Sequence, residues 1–395
     1  MPQKAKAHLL WIIILSQFCC TSLWFAGNSV VADLIQHFHL PDGAMGLLTS
    51  SVQFGFVIGT LTFAVLTIVD RFSPSKVFLC SAIMAALANA GVLLPGHQLW
   101  SLMGLRFVVG FFLAGIYPVG MKIAADYYEQ GLGKSLGYLV GALVIGTAFP
   151  HLLKNPAYAL PWRMVMIITS VLSLLGGTAI VLLVPDGPYR QASSKFRLSA
   201  LREIFSNRPF RSAAFGYFGH MWELYTFWAF VPLMLLSYEK LHPQSEFNIP
   251  LWAFLIIAGG SIACVLGGYL SKQFGTKKTA LIALASSAAC CLLSPLFFAQ
   301  PSGGLFLIFL LVWGGLVIMD SPLFSTLVAQ NTTAKLKGTA LTIVNCIGYA
   351  ITILSIQAVS LLKVVLPPSG LYMVLAAGPA LGLWALLSGK AMPKK

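Results

Sequence analysis

Apolar residues fill this chain in stretches that are too long for buried strands and too uniformly apolar for one-faced soluble helices. An α-helix needs about 20 such residues to cross a hydrocarbon core. Twelve runs of that kind lie near 9–31, 45–67, 77–95, 100–124, 135–153, 164–184, 212–236, 250–270, 279–299, 305–328, 338–362 and 370–388, numbered here as spans 1 to 12. Short, turn-rich connectors such as Pro95-Gly96-His97-Gln98 separate them. The first run continues through Trp24 and Asn28 with no small-residue cleavage site, so it reads as a span rather than a signal peptide. The pattern predicts an all-α membrane protein of twelve transmembrane helices.

Composition points the same way. The chain has 395 residues, of which 58% are hydrophobic and only 9% charged, with a mean hydropathy of +0.84. Soluble domains carry about 25% charged residues, and so few charges cannot cover a globule of this size in water. All seven cysteines fall inside apolar runs without metal-ligand spacing and read as small hydrophobes. No Walker loop, HExxH or nucleophile elbow is present, so neither ATP, a metal, a cofactor nor an enzymatic reaction is expected.

The net charge of +14 suggests a nucleic acid only until the basic residues are placed. With the N-terminus in the cytoplasm, nineteen Lys and Arg fall on inside segments, among them Arg71, Lys76, Lys134, Lys272, Lys277 and Lys278. Only Lys154, Arg163, Lys240 and Lys363 fall outside, and Arg106 and Lys122 lie within span 4. This positive-inside bias accounts for the charge and puts both termini in the cytoplasm. The partner it implies is a lipid bilayer, with no nucleic acid.

The long inside connector 185–211 divides the chain into 1–184 and 212–395, with six spans each, and Leu198–Phe205 within it has the pattern of a short interfacial helix. The halves echo each other. Asp70-Arg71-Phe72-Ser73 after span 2 answers Lys272-Gln273-Phe274-Gly275 after span 8, and Tyr117-Pro118 in span 4 answers Ser321-Pro322 in span 10. A repeated six-span half is the mark of a transporter with its site between the repeats.

On these residues the chain resembles the major facilitator superfamily of secondary transporters along essentially its whole length. Asp70, Arg71 and Lys76 match the family's loop motif after span 2, although Leu66 and Ser73 stand where it has glycines. Arg106 matches the arginine of its span-4 motif. The drug-antiporter motif of span 5 is not met, because Ala142 follows Gly137 and Gly141 where proline is required. The strings Ser22–Asn28 and His220-Met221-Trp222-Glu223 look like an uncharacterised bacterial branch, loosely like nitrate and cyanate carriers, without the glycine-rich nitrate signatures. The resemblance implies two pseudo-symmetric six-helix bundles, a monomer in the bacterial inner membrane, and spans 1, 4, 7 and 10 around a central cavity.

Polar groups inside these spans are the candidates for chemistry, because a charge at the centre of a membrane helix costs at least about 2.5–3.5 kcal/mol on insertion scales. His220 and Glu223 are three residues apart on one face of span 7, and Asp320 lies in span 10. A carboxylate in a low-dielectric cavity can hold a proton near neutral pH, and histidine titrates there already. These three are the candidate proton-coupling groups, with a structural ion pair as the alternative. Arg106 offers positive charge to a solute. Gln17, Trp24 and Asn28 of span 1, Tyr117, Trp222, Tyr225 and Trp313, and Asn345 and Tyr349 of span 11 offer hydrogen bonds and stacking surface; for spans 1 and 11 helix–helix bonding is an equal alternative. Asp70, Arg71, Lys122 and Asp126 are candidates for an inside gate, with Lys122–Asp126 also a plain structural pair. His151 is expected at an interface and Asp33 in solvent. The mixture predicts uptake of a small organic anion or zwitterion with protons by alternating access. A proton-antiporting exporter and, in another class, a non-transporting sensor or scaffold remain as alternatives.

Overall fold

The computed structural model of the chain describes residues 7–41, 43–127, 132–158, 160–189, 200–333 and 335–388. Its elements are all helical among these residues, and they form two compact units, Met1–Ser193 and Ser194–Lys395. Each unit contains six of the expected spans. Among the described residues, eight segments are by themselves long and apolar enough to cross a membrane, and spans 1 and 5 add the shorter apolar helices His8–Thr21 and Gly137–Leu153. Span 7 is a single helix, Arg208–Leu241, whose apolar run is interrupted by His220 and Glu223.

In the first unit, spans 2, 3, 5 and 6 are the helices Ala44–Val65, Pro74–Gly91, Leu132–Leu153 and Trp162–Leu183. Span 3 opens on Pro74, whose missing N–H costs nothing in the first turn. The connector before span 4 turns on Gly96, at φ +79°, a conformation that glycine adopts without strain. Span 1 departs from the expected single run. It breaks after Ala7–Thr21 and resumes as Ala26–Ser29 and Val31–Phe38. A hydropathy pattern does not register such a break, since Leu23, Trp24 and Phe25 are as apolar as the helix around them.

Span 4 also breaks, into Leu99–Leu113 and Tyr117–Tyr127, and span 10 breaks in the same place in the second unit, into Gly303–Met319 and Ser321–Gln330. Pro118 and Pro322 each lie in the first turn of the second piece, so one repeat unit has left the same kink twice. The neighbouring crossings repeat as well. A Cβ on Gly110 of span 4 would lie 2.0 Å from the Val52 carbonyl of span 2, and one on Gly314 of span 10 would lie 2.5 Å from the Ile256 carbonyl of span 8. Without a hydrophobic effect between helices in lipid, backbones held this close supply the packing energy.

In the second unit, spans 8, 9 and 11 are Ile249–Phe274, Thr276–Ala299 and Lys337–Leu362. Span 12 runs through Pro368–Leu371, a 3₁₀ turn Tyr372–Ala376, and Ala377–Ser388. The connector expected at 185–211 is shorter than the sequence pattern suggests. Span 7 already begins at Arg208, and a short helix occupies Ala200–Ser206; Leu198 lies outside the described residues. Residues 184–189 are strapped to the first unit. Ser75 donates to the Val184 carbonyl at 3.1 Å, Ser73 to Asp186 at 2.7 Å, Tyr127 to the Pro185 carbonyl, and the Tyr189 N–H to the Asp126 carbonyl at 3.0 Å.

Candidate functional site

The second unit brings together His220, Glu223 and Asp320, each 1% exposed. Span 7 carries His220 and Glu223 one turn apart, but the two meet different partners. Glu223 Oε1 accepts from the Trp313 indole N–H at 2.6 Å and from the Cys291 thiol at 3.3 Å, and Oε2 accepts from Ser287 at 2.9 Å. Every one of these donors is uncharged. Trp313 reaches the site because span 10 crosses span 7, and Ser287 and Cys291 come from span 9, four residues apart on one helix face.

His220 Nδ1 approaches Asp320 Oδ1 at 2.7 Å. Asp320 is 1% exposed and sits at the break of span 10, ending one helix and starting the next. Neither of its carboxylate oxygens receives a hydrogen bond of ordinary geometry, and His220 Nε2 has no partner. The Tyr217 and Phe324 rings flank the imidazole, with centroids 5.9 and 6.1 Å away.

The charge count of this region follows. Glu223 and Asp320 supply two negative charges when ionised, and His220 at most one positive charge. The Lys and Arg of these spans lie at or near helix ends, as Arg208, Lys240, Lys272 and Lys337 do. With all three groups ionised, one net negative charge is buried in the bundle. Such a charge costs several kcal/mol, and one added proton removes it.

The aromatic candidates of this unit serve its interior. The Tyr225 and Tyr349 hydroxyls share a hydrogen bond at 2.8 Å, and Trp222 donates to the Val374 carbonyl of span 12 at 3.2 Å. Thr226 donates to Ser355 at 2.9 Å. Asn345 is half-buried on span 11.

In the first unit the buried arginine has a local task. Arg106 is 2% exposed. Its guanidinium donates to the Leu23 carbonyl at 3.0 Å, to the Trp24 carbonyl at 2.7 Å and to Asn89 Oδ1 at 3.1 Å. The first two acceptors are carbonyls freed by the break in span 1. Asn89 in turn donates to the Met166 carbonyl, Thr169 and Ser170 of span 6, at 3.0–3.1 Å. Arg106 thus joins spans 1, 3 and 6 through donors turned to protein acceptors and is not presented as an open cation.

The polar face of span 1 is real but unevenly satisfied. Asn28 donates to Thr49 of span 2 at 2.7 Å, Thr21 folds back on the Gln17 carbonyl at 2.8 Å, and Trp24 packs on Phe56 with ring centroids 4.9 Å apart. Gln17 is wholly buried and neither amide atom has a hydrogen-bond partner. Tyr117 starts the second piece of span 4 and is half-buried.

The gate candidates divide. Lys122 pairs with Asp70 at 2.9 Å, with both side chains about four-fifths buried, so the span-4 lysine closes on the loop after span 2. Arg71 donates to Thr67 at 3.1 Å, and Asp126 is buried, its carbonyl bound by the strap. Two peripheral residues have more protein around them than expected. His151 lies in the last turn of span 5, as an outer-end position requires, and is buried there at 3% exposure. Asp33 is ion-paired with Lys154 at 3.1 Å.

Sequence reading missed Asn89, Ser287, Cys291 and Gln53, which is wholly buried on span 2 with both amide atoms unpartnered. Each is a polar or sulfur residue within an apolar run outside spans 1, 4, 7, 10 and 11. Asn89 and Gln53, as carboxamides at membrane depth, carried a visible signal. Cys291 did not, since a cysteine among alanines and leucines reads as a small hydrophobe.

This arrangement has known counterparts. The sequence model of the Major Facilitator Superfamily matches residues 13–356. An uncharacterised MFS-type transporter of Yersinia pestis is 28% identical over 165 residues, 38% of this chain and 40% of that protein. The sphingosine-1-phosphate transporter SPNS2 of Xenopus tropicalis is 25% identical over 271 residues, 63% of this chain and 50% of that one. The chain therefore matches about half or less of the length of these relatives. Among solved structures, a bacterial homolog of the human lysosomal transporter Spinster superposes with a TM-score of 0.72 at 14% identity, covering 99% of this chain and 100% of that one. The xylose transporter XylE from E. coli gives 0.75 at 13% identity, with 96% of each chain covered. At such identities the structures speak for the fold, and it is the fold of two six-helix bundles already described. The family match over most of its length makes this chain a member of the Major Facilitator Superfamily.

Proposed function

We propose that the chain is a proton-coupled secondary transporter that takes up a small polar solute by alternating access, with His220, Asp320 and Glu223 holding the coupling proton. The observation that carries the reading is the His220–Asp320 approach of 2.7 Å, beside a third ionisable group, Glu223, held only by neutral donors. The cluster is neutral with one more proton than its fully ionised state and carries a buried negative charge without it. Gain and loss of that proton therefore change the electrostatic energy of the bundle by several kcal/mol, which is the scale needed to bias a two-state equilibrium. Each proton entering down a 100 mV potential releases about 2.3 kcal/mol to drive accumulation.

The division of labour within the cluster follows from its bonds. Glu223 already receives three hydrogen bonds, which suits an ionised carboxylate. Asp320, with none of ordinary geometry, is the oxygen pair open to a proton. The expected preference for an anion or zwitterion rested in a lesser part on Lys122, which pairs with Asp70 at 2.9 Å, and above all on Arg106 as an open cation. Its donors are committed to Leu23, Trp24 and Asn89, which removes that support.

Proteoliposomes with a trapped pH dye test the reading. A polar solute added outside is expected to acidify the lumen with wild type, and Asp320→Asn is expected to abolish the proton flux. Normal flux with unchanged pH dependence in both Asp320→Asn and Glu223→Gln would refute the proton assignment. Proton movement opposite to the solute would make the chain an exporter.

A further inference from the structure

The outward face of the first unit is grooved between spans 3 and 6. Ala86, Leu87 and Ala90 of span 3 and Ile167, Ser170 and Leu174 of span 6 line a cavity of about 180 Å³. Its floor is made of small side chains, with Ala86 2% and Ser170 5% exposed. The Ser170 hydroxyl donates to the Met166 carbonyl and accepts from Asn89, so the floor offers no free polar group. The Asn89 bonds to span 6 also fix the two helices at this level. The walls are large, apolar and turned outward: Leu87 is 60% and Val171 47% exposed. In a chain that crosses a bilayer, an apolar wall of this kind faces lipid and not water.

One end of the groove is charged. Ile167, Ser170, Val171 and Leu174 follow Arg163 at the spacing of a single helix face, so Arg163 stands at the head of the span-6 wall. At 1.5 Å rise per residue, Arg163 is about 6 Å beyond Ile167, and the wall runs about 10 Å further to Leu174. Arg163 is exposed, and its guanidinium carbon lies 5.5 Å from the centroid of the Trp162 ring. Among the described residues no carboxylate pairs with it. Asp33, one turn before His37, is taken by Lys154. Trp162 opens span 6 and packs against His37 and Phe38, with centroids 5.3 and 6.1 Å away. A tryptophan at the end of an apolar span marks the headgroup level of the bilayer, and the arginine beside it is held there.

We infer that the groove between spans 3 and 6 is a site for one anionic phospholipid, with an acyl chain along Ala86, Ala90 and Ser170 and the phosphate on Arg163. The cavity is smaller than the roughly 300–1,000 Å³ of small-molecule sites and runs along the helices, which suits a chain segment better than a compact solute. An acyl chain leaves other chains to enter the groove, so the gain is close packing on the small-residue floor and not removal of apolar surface from water. Selectivity then comes from the headgroup. A guanidinium meets a phosphate with two parallel N–H···O bonds. An anionic lipid cancels the charge of Arg163, whereas the phosphate of a zwitterionic lipid is already balanced by its own ammonium. The inference rests on the membrane-spanning fold and not on the proton assignment.

Photolabelling of the full chain in phosphatidylcholine vesicles tests the site. The probe is phosphatidylglycerol with a diazirine midway along one acyl chain, present as a minor component. Labelled peptides are expected to concentrate in 83–90 and 167–174, and unlabelled phosphatidylglycerol is expected to compete where added phosphatidylcholine does not. Arg163→Gln, at an exposed position, should weaken this labelling about fivefold at low salt and less at high salt. Ala90→Leu fills the groove and should abolish the labelling at either salt; if that variant does not fold, Arg163→Gln still decides. Lys278→Gln removes an exposed lysine elsewhere and should label like wild type. Labelling spread evenly over other exposed apolar faces, such as the one carrying Ile262 and Leu266, would mean annular lipid only and overturn the site. Unchanged labelling in a folded Ala90→Leu would overturn the groove. Equal competition by phosphatidylcholine, unchanged labelling in Arg163→Gln, or an equal loss in Lys278→Gln would overturn Arg163 as the headgroup ligand.

Discussion

Arg106→Met separates an arginine that holds the backbone from one that holds a solute. The substitution leaves three buried acceptors without donors, namely the Leu23 and Trp24 carbonyls and Asn89 Oδ1. At about 1–3 kcal/mol for each orphaned group, the gross loss is roughly 3–9 kcal/mol. Relief from burying a guanidinium offsets several kcal/mol of that. A net destabilisation of about 2–4 kcal/mol remains, concentrated at the break in span 1. Thermal unfolding in detergent should show a fall of several degrees. Hydrogen exchange should show lost protection in Ser22–Ser29, while Arg208–Leu241 in the other unit is unaffected. Arg106→Lys should fall between wild type and Arg106→Met, since an ammonium keeps the charge but loses the fork that reaches both carbonyls and Asn89. If Arg106→Met melts like wild type, keeps protection across Ser22–Ser29 and still loses solute binding, the arginine is a ligand for solute and not a brace for the broken helix.

Other substitutions probe separate parts of the structure. Gly110→Ala drives a methyl to within 2.0 Å of the Val52 carbonyl and should cost about 1–3 kcal/mol or prevent folding, while Gly104→Ala, with open space around it, should melt like wild type. Glu223→Leu leaves the Trp313 indole N–H without an acceptor and should cost about 1–3 kcal/mol more stability than Glu223→Gln, whose amide oxygen still accepts from it; denaturation midpoints of the two compare them directly. A double-mutant cycle on Asp70→Asn and Lys122→Met should return a coupling of about 1 kcal/mol that shrinks in high salt, and a coupling of zero would remove this pair from any account of a gate.

Helix number, fold class and the repeat were legible because each leaves a periodic or compositional trace. Long apolar runs counted the spans, and Tyr117-Pro118 against Ser321-Pro322 marked two breaks in the sequence itself. The break in span 1 was not legible, since no proline marks it and the arginine that bonds its freed carbonyls is supplied by span 4. Charged candidates were found for a similar reason: a lone His, Glu or Asp in an apolar run stands out. Their partners were not found. His220 and Glu223 share a helix face in sequence, yet Asp320 takes one, and Trp313, Ser287 and Cys291 take the other. Spacing along a helix says which residues point the same way, and only the packing of three helices says what each of them meets.

The same repeated half has taken on two kinds of chemistry. In the first unit, Arg106 bonds to backbone and Asn89, and the unpartnered buried groups include the neutral amides of Gln17 and Gln53. In the second unit, span 7, the counterpart of span 1, stays helical from Arg208 to Leu241, with only Pro232 withholding an N–H, and offers no broken turn like that of span 1. Its polar positions are ionisable, and their partners are a carboxylate for His220 and an indole, a hydroxyl and a thiol for Glu223. A buried arginine beside Glu223 or Asp320 would neutralise the cluster permanently and leave no proton to gain or lose. On the proposed reading, keeping Arg106 in one unit and Glu223 and Asp320 in the other leaves the charge of the second bundle to a proton and not to a fixed ion pair. Moving a cation there makes the point testable. Ser287→Lys places an ammonium against Glu223 Oε2, and the expected product is a folded protein that still binds solute but carries no proton flux across the pH range in which wild type does.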